Sequence, residues 1–186
     1  MPTQEIINKS RDLMTKAVEH CQKELSKVRT GRASAQLVEG IKVDYYGTPT
    51  ALSQVGNVSV PDARTIIIQP WERNILGAIE KAIFASGLGM TPNNDGQVIR
   101  IPVPPLTEQR RKEFVKLCKK FAEDGKVAVR NIRRDQMETL KKGEKDKDFS
   151  EDDRKRAEEE LQRHTDRHIK DIDTHLVKKE KEIMED

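Results

Sequence analysis

Apolar residues at the start of the chain recur every seven positions. Ile7, Met14, Cys21 and Val28 keep that interval, with Val18 and Leu25 between them. This spacing predicts a helix with a narrow apolar seam. Neither Pro nor Gly interrupts it from Gln4 to Arg29, and Arg11 breaks the seam once. Thr30-Gly31 is predicted to end the helix, since glycine suits a left-handed cap. A second helix is predicted from Leu106-Thr107, because Pro104-Pro105 stop anything before it. On it Phe114, Cys118, Phe121, Gly125, Ala128 and Ile132 step by four and three. Gly143 is predicted to end this helix, just after Lys142. The third helix opens at Ser150-Glu-Asp-Asp153, a capping-box-like start with Asp in place of the usual Glu or Gln. Ala157, Leu161, Thr165, Ile169, Ile172, Leu176 and Ile183 give it a thinner seam. The short connection between helices two and three makes them antiparallel. Each should be about 50–55 Å long.

Residues 31–105 follow a different pattern. Ile41, Val43 and Tyr45 alternate as in a strand, and Gly47-Thr-Pro49 is predicted as the turn to the next. "NVSV" and "TIIIQP" read as short strands. "ERNILGAIEKAIFASGLG" reads as a helix with Ile75, Ile79, Ala82 and Ile83 on one face and Gly87 closing it. "NNDGQVIRIPV" reads as a turn and a strand. The fold class expected is α+β, an elongated antiparallel three-helix bundle (1–30 and 106–186) with a small inserted β/α/β domain (31–105). Two links would join them. One holds Arg29, Thr30, Gly31 and Arg32, the other Pro102, Pro104 and Pro105. Gly31 frees one backbone and the prolines stiffen the other, which suits a hinge.

Charge sharpens this picture. The net charge of +3 is unevenly spread. Residues 106–142 carry twelve basic and six acidic groups, and residues 143–186 carry eleven and sixteen. The insert is neutral, with six of each. Within the basic segment Lys116, Lys119, Lys126, Arg130 and Arg133 lie roughly three to four residues apart, with a gap at Glu123, and Arg134 follows Arg130 by four. The plain reading of such a row is a solvated helix face with ordinary charge pairs. The local net of +6 gives an anionic partner equal weight, and guanidinium groups fit phosphate oxygens in a two-pronged way. Arg110-Arg111-Lys112 and Arg29-x-x-Arg32 add charge where the first helix ends and the second begins.

Other chemistry is sparse. His164, His168, Asp171 and His175 are spaced as a stripe on one helix, but the stripe lacks the glutamate of an HExxH motif and has no nearby cysteine. A polar helix edge is expected there, and no metal. Cys21 and Cys118 fall on apolar positions and should be buried thiols. Tyr45, Tyr46 and Trp71 are expected to pack the core and edge of the insert. There is no phosphate-binding loop, dinucleotide fingerprint or nucleophile elbow, so neither an enzyme nor a cofactor is expected. No stretch reaches the roughly 18 apolar residues of a membrane span. The start lacks the apolar core of a signal peptide, and the cytoplasm is the expected location.

Five motifs coincide with a known family. "KVRTGRAS" (27–34), "DYYGTPT" (44–50), "IRIPVPPLTEQRRKEF" (99–114), "VAVRNIRRD" (127–135) and "SEDD" (150–153) together resemble bacterial ribosome recycling factors, in order and over nearly the whole chain. The resemblance implies a monomer with an outline similar to transfer RNA. It implies binding to large-subunit ribosomal RNA after termination, and splitting of the ribosome with elongation factor G and GTP. It implies RNA-facing roles for Arg130, Arg133 and Arg134, with Arg110 and Arg111 at the junction. It places the hinge at Arg29, Gly31, Arg32, Pro104 and Pro105. His164 and His168 make the third helix more polar than many members would be. Two other readings of the residues are a helical RNA-binding module unconnected with the ribosome and a coiled-coil scaffold. The neutral folded insert argues against the scaffold.

Overall fold

The first helix stops sooner than its sequence suggests. In the computed structural model, which describes residues 2–185, α1 spans Thr3–Ser26. Its end tightens: the Lys27 N–H bonds to Glu24 O, and that of Val28 to Leu25 O. These short-span bonds consume carbonyls that further α-turns would need. Gly31 does adopt a positive φ of 84°, but five residues past the helix. The seam behaves as expected at Ile7, Met14, Val18, Cys21, Leu25 and Val28, all buried. Where Arg11 seemed to break it, Ser10 takes the inward place and bonds its hydroxyl to Ile6 O at 2.7 Å.

Two longer helices complete this unit, α5 (Glu108–Lys145) and α6 (Glu151–Met184). At 1.5 Å per residue they are roughly 57 and 51 Å long. Thr107 caps α5 by accepting the Arg110 N–H, and Ser150 caps α6 by accepting that of Asp153. Arg154 pairs with Glu144, Arg133 with Gln162, and Arg111 with Met184. Residue numbers rise on one helix as they fall on the other, so α5 and α6 run antiparallel.

Gly143 does not end α5. The helix continues through it, and the missing Cβ leaves room for the ring of Phe149, on which a Cβ would fall. The actual stop is Lys147, with φ of 63°. The Asp148 N–H returns to Gly143 O and the Lys147 N–H to Glu144 O, at 2.9 and 3.0 Å. That is a Schellman closure with lysine in the place glycine usually takes. The buried line of α5 is also rotated from expectation. It runs through Cys118, Ala122, Gly125, Val129, Gln136 and Leu140, with Phe114, Phe121 and Ile132 on its flanks. Gly125 lies where three helices meet. A Cβ on it would come within 3.0 Å of the Cys21 side chain and 3.2 Å of Ile172. On α6 the seam holds His168 rather than Ile169.

The second compact unit is Gly31–Leu106, and the first is Met1–Thr30 with Thr107–Glu185. After a short α2 (Gln36–Glu39), β1 (Lys42–Tyr45) and β2 (Thr48–Ala51) form a hairpin. Its loop is Tyr46-Gly47, not Gly47-Thr-Pro49. Both residues have positive φ, 51° and 83°, as a two-residue turn of this twist demands. Pro49 sits inside β2 opposite Asp44. This two-stranded sheet has only edge strands, where proline is tolerated. Then come α3 (Leu52–Val55), β3 (Gly56–Asp62), β4 (Thr65–Pro70), a 3₁₀ turn (Arg73–Ile75), α4 (Leu76–Ala85), β5 (Asn93–Asn94) and β6 (Ile99–Pro102). The second sheet is antiparallel in the order β3-β4-β6-β5. Ile66 and Ile68 of β4 stand opposite Ile101 and Ile99. With Ile79 and Ile83 of α4 they are fully buried.

Tyr46 and Trp71 are not packed inside as expected, being 68% and 67% exposed. The inward positions of β4 are Ile66, Ile68 and Pro70, so alternation turns residue 71 outward. Tyr46 is held by its hydroxyl instead. The Glu72 carboxylate accepts from Tyr45 at 2.8 Å and from Tyr46 at 2.7 Å, and the Asn74 amide donates to the Tyr46 oxygen. These bonds, Tyr46's first, hold the Glu72 carboxyl below its ordinary 4.5. A depressed carboxyl contributes its stability above the unfolded value and loses it as pH falls through the folded one. The hairpin tip should therefore stay fixed at neutral pH and loosen in acid, below 4.5. An NMR titration of the Tyr46 ring should show this, and Glu72→Gln should remove the acid step. Ring signals constant through the acid range would contradict it.

Candidate nucleic-acid interface

The basic residues of α5 divide according to their distance from the buried seam. Lys126 and Arg133 lie three before and four after buried Val129, so both border the seam on the α6 side. Lys126 pairs with Asp173, and Arg133 Nε donates to Gln162 Oε1 at 2.6 Å. Gln162 is fixed in turn by donating to Asp166 at 2.8 Å. The predicted row of five cations is therefore split. Its chemistry explains why: α6 belongs to the acidic segment and draws in the nearest cations.

Arg130 and Arg134 remain outward, one turn apart. Their side chains are 51% and 68% exposed, and their ion pairs lie within α5, with Glu123 at 3.1 Å and Asp135 at 3.8 Å. Lys116 and Lys119 are also exposed. Between α5 and α6, Arg133, Arg134 and Lys141 border a groove of about 380 Å³, with Met137, Glu138 and Glu158. Lys141 was absent from the sequence reading. Its place two turns after Arg134 was the available signal.

The junction arginines do not join this face. Arg110 is about 30 Å from Arg130 along the helix. It is exposed and pairs with Glu113 at 3.3 Å. Arg111 is turned inward and donates from Nη1 to Met184 O at 3.2 Å. That bond satisfies one of the last carbonyls of α6 and places a cation at its negative end. Arg111 thus has a structural task. Of the link residues, Arg29 and Thr30 follow the end of α1, and Gly31 and Arg32 open the insert. Pro102 closes strand β6 opposite Thr65, so it belongs to a sheet. Pro104 and Pro105 follow that strand and are exposed.

His168 is buried rather than on a polar edge. The His164 carbonyl, which can only accept, lies 2.6 Å from Nδ1, and the Thr15 hydroxyl lies 3.2 Å from Nε2. With its hydrogen on Nδ1 the ring donates to the His164 carbonyl, and Nε2 then accepts from the Thr15 hydroxyl. Both of its polar atoms are satisfied, which is what lets it sit in the seam. Among the described residues no cluster of three or more His, Cys, Asp or Glu could hold a metal. Both cysteines are buried and free. Burial pushes the Cys118 thiol up to about 11, so it is not a nucleophile at neutral pH. No helix of the described residues is long and apolar enough to cross a membrane.

Comparison with known proteins places this geometry. The family model described as ribosome recycling factor matches residues 21–184. A ribosome-recycling factor of Nitratidesulfovibrio vulgaris (strain DP4) is 55% identical over 185 residues, covering 100% of both chains. That of Syntrophomonas wolfei is 54% identical over 181 residues, covering 97% of this chain and 98% of its own. A solution structure of a ribosome recycling factor is 44% identical, with a TM-score of 0.74 over 99% of this chain and 98% of that one. A second structure describes a T. thermophilus recycling factor and E. coli elongation factor G bound to the E. coli post-termination complex. Its matching chain is 45% identical, with a TM-score of 0.63 over 99% of this chain and 100% of that one. Sequence and fold match over nearly the whole chain, and this chain belongs to the ribosome recycling factor family.

Proposed function

We propose that this protein binds the post-termination ribosome in the cytoplasm and, together with elongation factor G and GTP, splits it into subunits. The observation that carries this reading is the outward pair Arg130 and Arg134, backed by Lys141, on a helix too well packed to yield. Such a face holds phosphates of folded RNA by shape and charge, without reading a base sequence. Arg133 adds its charge from the groove, and Arg110 a separate point of contact at the start of α5. The helical unit is the anchor. The neutral insert, joined by two chain crossings near Gly31 and Leu106, is the part that the GTPase moves. The protein itself performs no catalysis, and the energy comes from GTP hydrolysis by its partner.

The test uses purified post-termination ribosomes, sedimented after incubation. Conversion to subunits should require this protein, elongation factor G and GTP together. Ribosomes that stay intact with all three present, or split equally without this protein, would overturn the reading.

A further inference from the structure

We infer that the outer edge of β3 receives an extended segment of a partner protein, which pairs with Val58 and Val60 as a further strand of the larger sheet. β3 ends the order β3-β4-β6-β5, so only one of its sides carries a strand. Its pairing with β4 fixes which backbone groups remain. The Trp71 N–H donates to Val55 O at 3.0 Å, so these two residues form a bonded pair at the foot of the ladder. Bonded and non-bonded pairs alternate in an antiparallel ladder. Asn57 and Ser59, opposite Gln69 and Ile67, therefore bond to β4. Gly56 lies opposite Pro70, which has no N–H to give, in agreement with this alternation. Val58 and Val60 turn their N–H and C=O groups away from β4. Gly56 is buried, whereas residues 57 and 59–62 are exposed, so the open stretch begins after Gly56.

A row of outward N–H and C=O groups is matched by extended peptide backbone. The side chains state what that peptide carries. Val58 packs against the core of the insert, and Val60, next on the same face, is 37% exposed. Apolar residues opposite them would continue that core outward. Asn57 and Ser59 point to the other face and favour polar neighbours. Asp62 closes the stretch. It is exposed, and its Oδ1 accepts the Arg64 N–H, so a basic residue suits that end. A second copy of this chain is a poorer fit. The ladder is irregular between Ser59 and Asp62, and Pro61 has no donor. Two chains paired over so short a stretch would bury far less than the roughly 1,000 Å² of a stable interface. A segment of a protein already bound elsewhere needs no such area, because its effective concentration at the edge is high. RNA has no amide ladder to offer, and the insert lacks net positive charge to attract it. The use of this edge does not rest on RNA binding by α5.

NMR of the full chain tests this with a synthetic probe, a capped peptide of lysine, valine, threonine, valine and threonine at millimolar concentration. Pairing antiparallel, it sets its lysine near Asp62 and its valines beside Val60 and Val58. The amide signals of Val58 and Val60 should shift and their exchange with solvent should slow. The same peptide methylated at both valine nitrogens has lost those donors and should cause no shift. Val60→Pro removes an outward N–H and no bond to β4, so the insert should stay folded, with Ile66 and Ile101 still protected from exchange. Its binding should weaken roughly twofold to tenfold. Val60→Thr keeps the N–H and should bind as the wild type does. If Val60→Pro unfolds the insert, the methylated peptide decides alone. Unshifted Val58 and Val60 signals overturn the proposal, as does equal binding of the methylated peptide or wild-type affinity in folded Val60→Pro. Shifts at these amides that grow with protein concentration without peptide, together with a dimer in sedimentation, would assign the edge to a second copy and overturn it too.

Discussion

Replacing Arg130 and Arg134 together by alanine should cost the protein nearly all its affinity for the large subunit and none of its fold. Both side chains are largely in solvent, and their pairs with Glu123 and Asp135 are local to α5. Exposed pairs of this kind contribute about 0–1 kcal/mol each, so their loss leaves the helical unit standing. A hydrogen bond to a charged phosphate is worth about 1.5–3 kcal/mol. Two such bonds amount to about 3–6 kcal/mol, a loss of roughly two to four orders of magnitude in affinity. The salt dependence should change with it. Each phosphate contact adds roughly 0.7–0.9 to the slope of log K against log salt, so the double variant should bind with a flatter slope by about 1.4–1.8. Arg133→Ala should act differently. It removes a cation from the groove and also breaks the bond to Gln162, so a small loss of stability should accompany weaker binding. Pelleting with ribosomes across a salt series, beside circular dichroism, separates these effects. Wild-type affinity in the double variant would remove RNA binding from this face.

Leu161→Ala should destabilise the helical unit by about 2–5 kcal/mol. Leu161 is fully buried in the core shared by α1, α5 and α6. The helices cannot simply close over the gap, since small residues such as Ala122, Gly125 and Ala157 already set their approach. The insert has its own core, built on Ile66, Ile68, Ile79, Ile83, Ile99 and Ile101. It should therefore keep its stability. Urea melts followed by helical ellipticity should shift strongly, while amide signals of β4 and β6 should not. A common shift in both would mean that the two units unfold as one.

The sequence shows the helices most clearly where one face is buried and the other wet. The seven-residue repeat from Ile7 to Val28 fixes the inward face of α1, and Ser150 fixes the start of α6. Legibility fails where a residue type has two uses. Gly143 looked like a stop because glycine commonly follows helices, yet it is there to admit Phe149. Lys147, which no propensity favours in a left-handed turn, is the real stop. His168 looked polar until Thr15 and the His164 carbonyl, one of them more than 150 residues distant, satisfied both its nitrogens. For the candidate interface, the charge count pointed to α5. It could not separate Lys126 and Arg133 from Arg130 and Arg134, because that depends on which side α6 packs.

The two ends of the insert lie side by side, a Cβ on Gly31 falling 3.1 Å from Leu106 Cγ, and this has a bearing on how the helical unit assembles. α1 and α5 are neighbours in space but are separated in sequence by roughly 75 residues of insert. Closing a flexible loop of that length costs about 4 kcal/mol in chain entropy, by the usual logarithmic dependence. Once the insert has folded, its two ends are already together, and the effective loop shrinks to the few residues outside them. The insert is thus a clip for the chain that interrupts it, turning a distant pairing of helices into a local one.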